Sequence, residues 1–347
     1  MTAAFARRSP AAIVFALATV YLVWGSTYLA IRVTDRTLPP LLMSSVRFLV
    51  AGAALYAFAS RGRARPTRRE WGAAAIAGAA LLLVGNGGVA WAETRLDSGF
   101  AALIVAIIPL YVALMDRVFF GRRLSPTAIT GLVIGFAGVA LLVRPGGGGN
   151  VGVALALVAT TSAWAAGSLY ARGAPLPASP LLSASMQMLA AAVFLGIAGL
   201  AAGEASDVHA SSFSTKPLIA FAYLVIFGSL LAFSAYAWLL KNVRISVVAT
   251  YAFVNPVVAV ALGTMFLGET TGWTTIVAGG AIVTAVVLIV TARVPTQQRY
   301  PDVHEELQSE TGQAPLGGGV SGRGRARAGA VRAWRRALPA GARDGSG

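Results

Sequence analysis

The chain has 347 residues, of which 56% are hydrophobic and 12% are charged, and its mean hydropathy of +0.71 excludes an ordinary water-soluble domain. It contains no cysteine, which excludes disulfides, thiolate metal sites and cysteine nucleophiles. The net charge of +15 would suggest a nucleic-acid partner in a soluble protein. In a chain this apolar it indicates membrane topology instead, and no nucleic-acid partner is expected.

After a short N-terminus (1–10), ten apolar runs follow one another, each long enough to cross a hydrocarbon core of about 30 Å as a helix. Helices are expected because backbone polar groups in lipid must be satisfied within the segment. The runs are 11–31, 41–59, 71–91, 99–115, 127–143, 151–171, 181–201, 217–239, 246–266 and 273–292. The sequence therefore predicts an all-α integral membrane protein with ten transmembrane helices, numbered here as spans 1 to 10.

The second half of this apolar region echoes the first. The segment PLLMSSVRFLVA at Pro40 returns as PLLSASMQMLAA at Pro180, an offset of 140. At an offset of 147, Trp91 matches Trp238, and further matches join Pro109 to Pro256 and Gly121 to Gly268. A repeat with five spans must re-enter the membrane in the opposite orientation, as in many secondary transporters. We therefore predict two inverted five-helix repeats, 11–143 and 151–292.

Basic residues lie mainly on one face when the loops are assigned alternately to the two sides of the membrane. The loop after span 2, for example, carries Arg61, Arg63 and Arg65. The positive-inside rule makes this face cytoplasmic, so both termini are predicted in the cytoplasm of a multi-pass inner (cell) membrane protein. Residues 293–347, rich in Gly, Pro and Arg, are predicted to form a disordered basic cytoplasmic tail. That tail is either simply solvated or attracted to anionic lipid head groups.

An ordered set of motifs resembles the EamA-type exporters of the drug/metabolite transporter superfamily. The motifs are Trp24-Gly25-Ser26, Pro40, Arg47-Phe48, Trp91, Pro109, Trp164, Gln187, Trp238, Pro256 and Phe266-Leu267-Gly268-Glu269. The resemblance covers both repeats and implies a ten-span exporter of small metabolites, amino acids or their analogues, with no bound cofactor. It also implies a central cavity between spans 1–4 and 6–9. The chain departs from the family at Gly121-Arg122, where a Gly-Glu pair is common.

Arg47 is the only charged residue well inside a predicted span, roughly 10 Å from the outer end at 1.5 Å per residue. A buried arginine is costly in a membrane and should face protein or water. It either attracts a substrate carboxylate or phosphate or bonds backbone carbonyls of a neighbouring helix. Its repeat partner Gln187 either lines the pathway or bonds across helices.

Further residues with aromatic, hydroxyl or amide groups are candidates for substrate binding. They are Trp24, Ser26, Tyr28, Asn86, Trp164, Tyr170, Tyr236, Tyr251 and Asn255. Asn86 lies among three glycines that weaken span 3, which indicates either an irregular helix at a cavity or close packing of helices. Pro109 and Pro256 each remove a helix hydrogen bond and are predicted to kink spans 4 and 9. Asn255 could bond the carbonyls freed at Pro256 or line the pathway.

Gly121, Gly268 and Glu269 are expected to be structural. Glu269 is placed at the inner end of span 9, where it would cap the following helix or pair with a cytoplasmic arginine. Spans 5 and 10 are expected to act as a scaffold or to support a homodimer.

No Asp or Glu lies in the middle of a span, so we expect facilitated or exchange transport, or proton coupling through Glu93 at the mouth. Two rival classes stay open: an integral membrane enzyme, and a channel or sensor. An enzyme needs convergent acidic, histidine or cysteine groups, which are too sparse and scattered here. A channel needs rings of carbonyls or charges, which are not visible in the sequence.

Overall fold

The computed structural model describes residues 10–120, 125–143, 150–209, 213–243 and 245–292. Across these ranges the chain is almost entirely helical and has no β-strand. Seven helical segments are long and apolar enough to cross a membrane, and three shorter apolar helices accompany them (Pro126–Leu141, Val254–Leu267 and Trp273–Ile289). The predicted all-α membrane architecture is confirmed at this level, and each of the ten predicted runs overlaps one of these segments.

The helices are numbered in chain order, and several spans contain more than one. They are α1 (Pro10–Thr34), α2 (Pro40–Ala59), α3 (Arg68–Gly78), α4 (Gly87–Glu93), α5 (Ser98–Val105), α6 (Ile108–Phe120), α7 (Pro126–Val143), α8 (Val151–Gly173), α9 (Pro180–Ala201), α10 (Thr215–Tyr223), α11 (Ser234–Asn242), α12 (Ile245–Val248), α13 (Tyr251–Leu262) and α14 (Trp273–Thr291). A π-helix (Ala79–Asn86) joins α3 to α4, a second (Leu224–Phe233) joins α10 to α11, and a third (Gly263–Leu267) ends span 9.

Local sequence signals set several helix ends. Prolines 40 and 180 stand at the start of α2 and α9, where the N–H that proline lacks would have no partner in any case. Thr67 and Glu70 form a reciprocal capping box at the start of α3. Span 4 is interrupted at residues 106 and 107, directly before Pro109, because proline offers no N–H to the carbonyl of Val105.

The longest interhelical contacts pair α2 with α9 and α7 with α14. Along the first pair, a Cβ at Gly199 would touch Leu42 near the start of α2, whereas one at Gly52 would touch Met188. The residue numbers of the contact positions increase along α2 while they decrease along α9, so the two helices run antiparallel. Apolar side chains such as Leu49 of α2 and Ile197 of α9, 50% and 61% exposed, point outward, where the membrane would cover them.

The α7–α14 pair is also antiparallel and unusually close. A Cβ added at Gly131 would lie 2.9 Å from the carbonyl oxygen of Ala285, and one at Gly138 would lie 3.1 Å from that of Ala278. Small residues allow this backbone approach in membranes. The structure therefore makes spans 5 and 10 a tightly joined pair.

One end of the bundle gathers acidic side chains and is called here the carboxylate end. It contains the end of α1, the start of α2, the end of α4 and the start of α5. Arg32 donates to the backbone oxygen of Glu93, and its guanidinium lies 3.9 Å from the carboxylate of Asp97.

The opposite end, called here the basic end, contains the loop of residues 60–67 with its arginines. Lys241 donates to the backbone oxygen of Pro177, and Arg172 donates to that of Val243 at 3.1 Å. In the described part of the chain, acidic side chains are therefore in excess at one end of the bundle and basic side chains at the other.

Two glutamates of the second half cap helices of the first half at the carboxylate end. Glu204 accepts from the backbone N–H of Leu42 at 2.8 Å, at the start of α2. Glu269 accepts from the backbone N–H and the hydroxyl of Ser98, both at 2.9 Å, at the start of α5. Carboxylates suit these positions because the first amides of a helix lack partners and carry the positive end of its dipole.

This geometry corrects the prediction for Glu269. The helix that follows it, α14, has no side-chain bond at its N-cap, so Glu269 does not cap it. It lies beside Asp97 at the carboxylate end, away from the basic loops, because the free amides of α5 are close to the turn after span 9. Gly268 makes that turn with φ of 67°, a left-handed conformation that favours glycine. Gly121 lies outside the described residues.

Replacing Glu269 with glutamine is expected to lower the free energy of unfolding by about 1–2 kcal/mol, since one acceptor oxygen becomes an NH₂ group that faces donors. Unfolding of the purified protein by a denaturing detergent measures this change. Glu70→Gln is the matched control, because the capping box of Glu70 is exposed, and its expected cost is below about 0.5 kcal/mol. Equal losses in the two variants would contradict the assignment.

Candidate functional site

A central cavity of about 60 Å³ lies between the two halves. Its walls come from spans 1 to 4 of the first repeat and from spans 6, 8 and 9 of the second; α9 of span 7 does not contribute. The lining residues are Trp24, Thr27, Tyr28, Ile31, Arg47, Phe48, Leu82, Gly85, Asn86, Val89, Val105, Ile108, Thr161, Trp164, Gly228, Phe233, Tyr251 and Asn255. Most are apolar or aromatic, which is typical of a small-molecule site.

Four aromatic rings pack together beside this cavity. Trp24 meets Trp164 edge to face with ring centroids 5.4 Å apart, and it meets Tyr251 in the same way at 5.5 Å. Tyr236 lies 4.9 Å from Trp24, and its hydroxyl is 2.6 Å from the hydroxyl of Ser168. Trp24 and Trp164 are repeat equivalents at the offset of 140, so equivalent residues of the two halves touch at the centre of the molecule.

Arg47 supplies the charge of the site. Its side chain is 2% exposed, its Nε donates to the hydroxyl of Ser229 at 2.8 Å, and its guanidinium lies 4.9 Å from the ring centre of Phe48. Its Nη1 has no hydrogen-bond partner. A buried donor without an acceptor costs about 1–3 kcal/mol, and more when it is charged.

Two amides add polar groups to the cavity wall. The Oδ1 of Asn86, at the end of the first π-helix, is buried and has no partner. The amide of Asn255, oriented to satisfy its neighbours, donates to the backbone oxygens of Tyr251 at 3.2 Å and Tyr21 at 2.9 Å. Asn255 thus bonds a carbonyl close to Pro256, and α13 runs through Pro256 without interruption.

Four candidates from the sequence do not line this cavity: Ser26, Tyr170, Gln187 and Tyr236. Gln187 is 3% exposed, donates to the hydroxyl of Ser183 at 3.0 Å, and lines a second cavity of about 10 Å³ together with Tyr236. Ser26 is bonded to the hydroxyl of Tyr223 at 2.6 Å, and Tyr170 is half-buried outside both cavities. The structure therefore separates Gln187 from Arg47.

The two halves of the chain each match one model of the EamA-like transporter family, over residues 11–144 and 150–291. The chain belongs to the EamA-like transporter family. It is thus a multi-pass membrane transporter of the drug/metabolite superfamily, and the family resemblance seen in the sequence is confirmed.

Several relatives are similar over most of their length. This EamA-like chain is 41% identical over 277 residues to the uncharacterized inner membrane transporter YedA of Escherichia coli K12, covering 79% of this chain and 89% of YedA. It is 29% identical over 294 residues to a probable terminal-alkyne amino-acid exporter of Streptantibioticus cattleyicolor, covering 82% and 95%. A solved crystal structure with 21% identity and a TM-score of 0.58 covers 80% of this chain and 96% of its own, and shows the same fold.

Some residues of this EamA-like site were not predicted from the sequence. Ser229, which holds the Arg47 side chain, and Phe233, which lines both cavities, belong to the π-helix of span 8. The π-helix of span 3 occupies nearly the same place in the first repeat, since 79–86 becomes 226–233 at an offset of 147. Such π-helical turns are frequent at functional sites. The signal available was Gly228-Ser229, a small polar pair inside an otherwise apolar run.

Proposed function

We propose that this protein is a secondary transporter that exports small metabolites, such as amino acids or their analogues, by alternating access between two inverted five-helix repeats. The observation that carries the proposal is the central cavity, which both halves line and in which Nη1 of Arg47 lacks a partner. A solute carboxylate would supply that partner through a charge-assisted hydrogen bond.

Symmetric contacts support the inverted repeats. Gly131 faces Ala285, and Gly138 faces Ala278. At an offset of 147 the repeat equivalent of Gly131 is Ala278 and that of Gly138 is Ala285. The two contacts are therefore equivalent to each other, with the partners exchanged. On the other helix pair, Leu42 faces Gly199, and the equivalent residues Ala59 and Leu182 belong to one small apolar cluster. Exchange of partners between antiparallel equivalent helices is what a two-fold axis in the membrane plane would produce.

The chemistry of the walls favours an anionic or zwitterionic solute with an apolar part. The guanidinium fork of Arg47 matches a carboxylate, whereas the rings of Trp24, Trp164 and Tyr251 offer an apolar surface. The cavity is small, so a compact solute fits best. The relative from Streptantibioticus cattleyicolor bears the name of an amino-acid exporter, which agrees with this class.

The second cavity supports alternating access. Arg47 and Gln187 are repeat equivalents, yet one faces a cavity of about 60 Å³ and the other one of about 10 Å³. Phe233 lines both cavities, and the aromatic cluster borders both, with Trp24 and Trp164 in the wall of the first and Tyr236 in the wall of the second. In an inverted repeat, the opposite state would contract the Arg47 side and enlarge the Gln187 side.

The orientation follows from the charged ends. The basic end, with the loop of residues 60–67, would face the cytoplasm by the positive-inside rule, and the carboxylate end would face outward. Ten crossings and both termini inside are part of this proposal. Lipid and a small solute are the expected partners, with a homodimer as a further option at spans 5 and 10.

Counterflow in proteoliposomes tests the function. A thermal-shift screen of amino acids and small carboxylates on detergent-purified protein first selects the stabilising compounds. Vesicles preloaded with an unlabelled stabilising compound are expected to take up the same compound, radiolabelled, saturably and faster than empty vesicles. Protein-free vesicles are the control. Uptake that rises linearly with concentration and ignores preloading would indicate a channel, and the absence of any uptake would overturn the proposal.

A further inference from the structure

Two acidic side chains at the carboxylate end are buried without a partner. Glu93 is fully buried, and neither of its carboxylate oxygens has a hydrogen bond. Both carboxylate oxygens of Asp35 are likewise buried and unbonded. The adjacent cation, Arg32, donates to the backbone oxygen of Glu93 and pairs with Asp97, so it leaves both carboxylates unsatisfied.

Both carboxylates continue helix faces that line the central cavity. On span 1, Tyr28 and Ile31 line the cavity, and Asp35 follows Ile31 by four residues with its N–H bonded to the Ile31 carbonyl at 2.8 Å. On span 3, Val89 lines the cavity, and Glu93 follows it by four residues. Residues four apart share one helix face, so the two carboxylates lie beyond the cavity toward the carboxylate end.

Asp35 also borders the outside of the bundle. It lines an open groove of about 500 Å³ at the carboxylate end, together with Arg36, Asp207 and His209. Asp35 and Glu93 therefore stand between the cavity and this groove. The cavity and the groove share no lining residue, so they are separate in this conformation.

Burial and the neighbouring acidic groups outweigh the nearby arginines at these two carboxylates. Asp35 lies within electrostatic reach of Glu93, as do the hydroxyl of Tyr28 and the carboxylate of Glu269. Burial raises the pKa of Asp35 well above its usual range; Arg32 and Arg47 lower this pKa, and Glu204 raises it further. An unpaired buried carboxylate is destabilised when it is ionised, and two neighbouring carboxylate anions repel each other.

We propose that Asp35 and Glu93 form a proton-operated gate between the cavity and the carboxylate end, closed when both carboxyls carry a proton. Opening admits water, which favours loss of the protons; closing removes the water and favours their uptake. The closed state thus binds protons more tightly than the open state, so acid favours the closed gate and rising pH favours the open one. This gate does not require net movement of protons across the membrane. The inference rests on the proposed function only in treating the cavity as a solute pathway.

A single cysteine tests the gate, since the natural chain has none. Val89→Cys places a thiol on the cavity wall, and its rate of modification by a water-soluble maleimide in lipid nanodiscs reports the opening. Ser206→Cys, at an exposed position, reports how pH alone changes thiol reactivity. We expect the ratio of the Val89→Cys rate to the Ser206→Cys rate to rise about tenfold between about pH 5 and about pH 9. A roughly tenfold overall difference in proton affinity between the closed and open states would produce a rise of this size.

In an Asp35→Asn/Glu93→Gln background the ratio should no longer change with pH. Asp207→Asn is the matched control, because Asp207 is an exposed carboxylate of the same groove, and it should keep the rise. The proposal is overturned if the double variant keeps the rise, or if the natural pair shows none. Ser183→Cys, on the Gln187 side, should show no rise, because the proposed gate opens only at the carboxylate end; a rise as large as that at Val89→Cys would overturn the proposal.

A second measurement does not depend on the double variant folding. The natural protein near neutral pH should show the infrared carbonyl stretch of a protonated carboxylic acid, and Glu93→Gln should remove part of it. Absence of that band from the natural protein would overturn the proposal. Both measurements use no transported solute, so a failure of counterflow leaves the gate test intact, and the reverse also holds.

Discussion

Arg47→Gln is expected to weaken solute binding by about 2–4 kcal/mol, or roughly 30- to 1,000-fold, and to abolish counterflow at low solute concentration. The reason is that glutamine keeps a donor but removes the buried positive charge whose Nη1 lacks a protein partner. Arg47→Lys should recover only part of the loss, because an ammonium cannot reproduce both the bond to Ser229 and a fork toward a carboxylate. The ligand-induced thermal shift and the initial rate of uptake measure the effect.

Arg95→Gln is the matched control for charge. Arg95 lies at the carboxylate end, exposed and 5.1 Å from the ring centre of Trp91, outside the cavity. Its loss should leave binding and uptake near the natural level. If Arg47→Gln binds the stabilising compounds as well as the natural protein does, Arg47 is a structural residue, and the anion-binding part of the proposed function is wrong.

Gly78→Ala should have the largest effect on stability, a loss of about 1–3 kcal/mol or more. A Cβ at Gly78 would lie 2.5 Å from the backbone oxygen of Gln187 in α9, and backbone cannot rotate aside as a side chain can. The helices α3 and α9 would have to separate, which would also disturb the small cavity beside Gln187. Detergent-induced unfolding and the fraction of monodisperse protein measure the loss.

Gly72→Ala, on the same helix, is the control. A Cβ there would meet nothing within 4 Å, so the better helix propensity of alanine should leave the protein unchanged or stabilise it by up to about 1 kcal/mol. Similar losses at both positions would show that α3 needs glycine for a reason other than its contact with α9.

The sequence predicts the features of this fold that depend on neighbouring residues. Apolar runs of the right length become helices, and Pro109 interrupts span 4. Trp24 and Trp164, which are candidates for substrate binding in the sequence, both line the central cavity. Periodicity and composition suffice for these features because lipid leaves the backbone no alternative to helix.

Features that depend on distant parts of the chain were not predictable. Glu269 caps α5, 171 positions away in the sequence, and no local pattern connects the two. Gln187 shares a repeat position with Arg47, yet the close approach of Gly78 to its backbone leaves it a different environment. The role of Asp35 was not predictable because Asp35 follows the end of span 1 in the sequence, whereas the fold buries its carboxylate on the face that lines the cavity.

The clamp between Glu269 and α5 has a kinetic consequence. The repeat counterpart of Glu269 at an offset of 147 is Arg122, and a guanidinium cannot accept hydrogen bonds from helix amides. Under the proposed alternating access, the two empty forms of the protein would therefore differ in free energy. Half-saturation concentrations and maximal velocities would then differ between influx and efflux. The ratio of maximal velocity to half-saturation concentration would still be the same for influx and efflux. A free-energy difference between the two empty forms changes the rates of the half-cycles, but it does not change the equilibrium distribution of the solute.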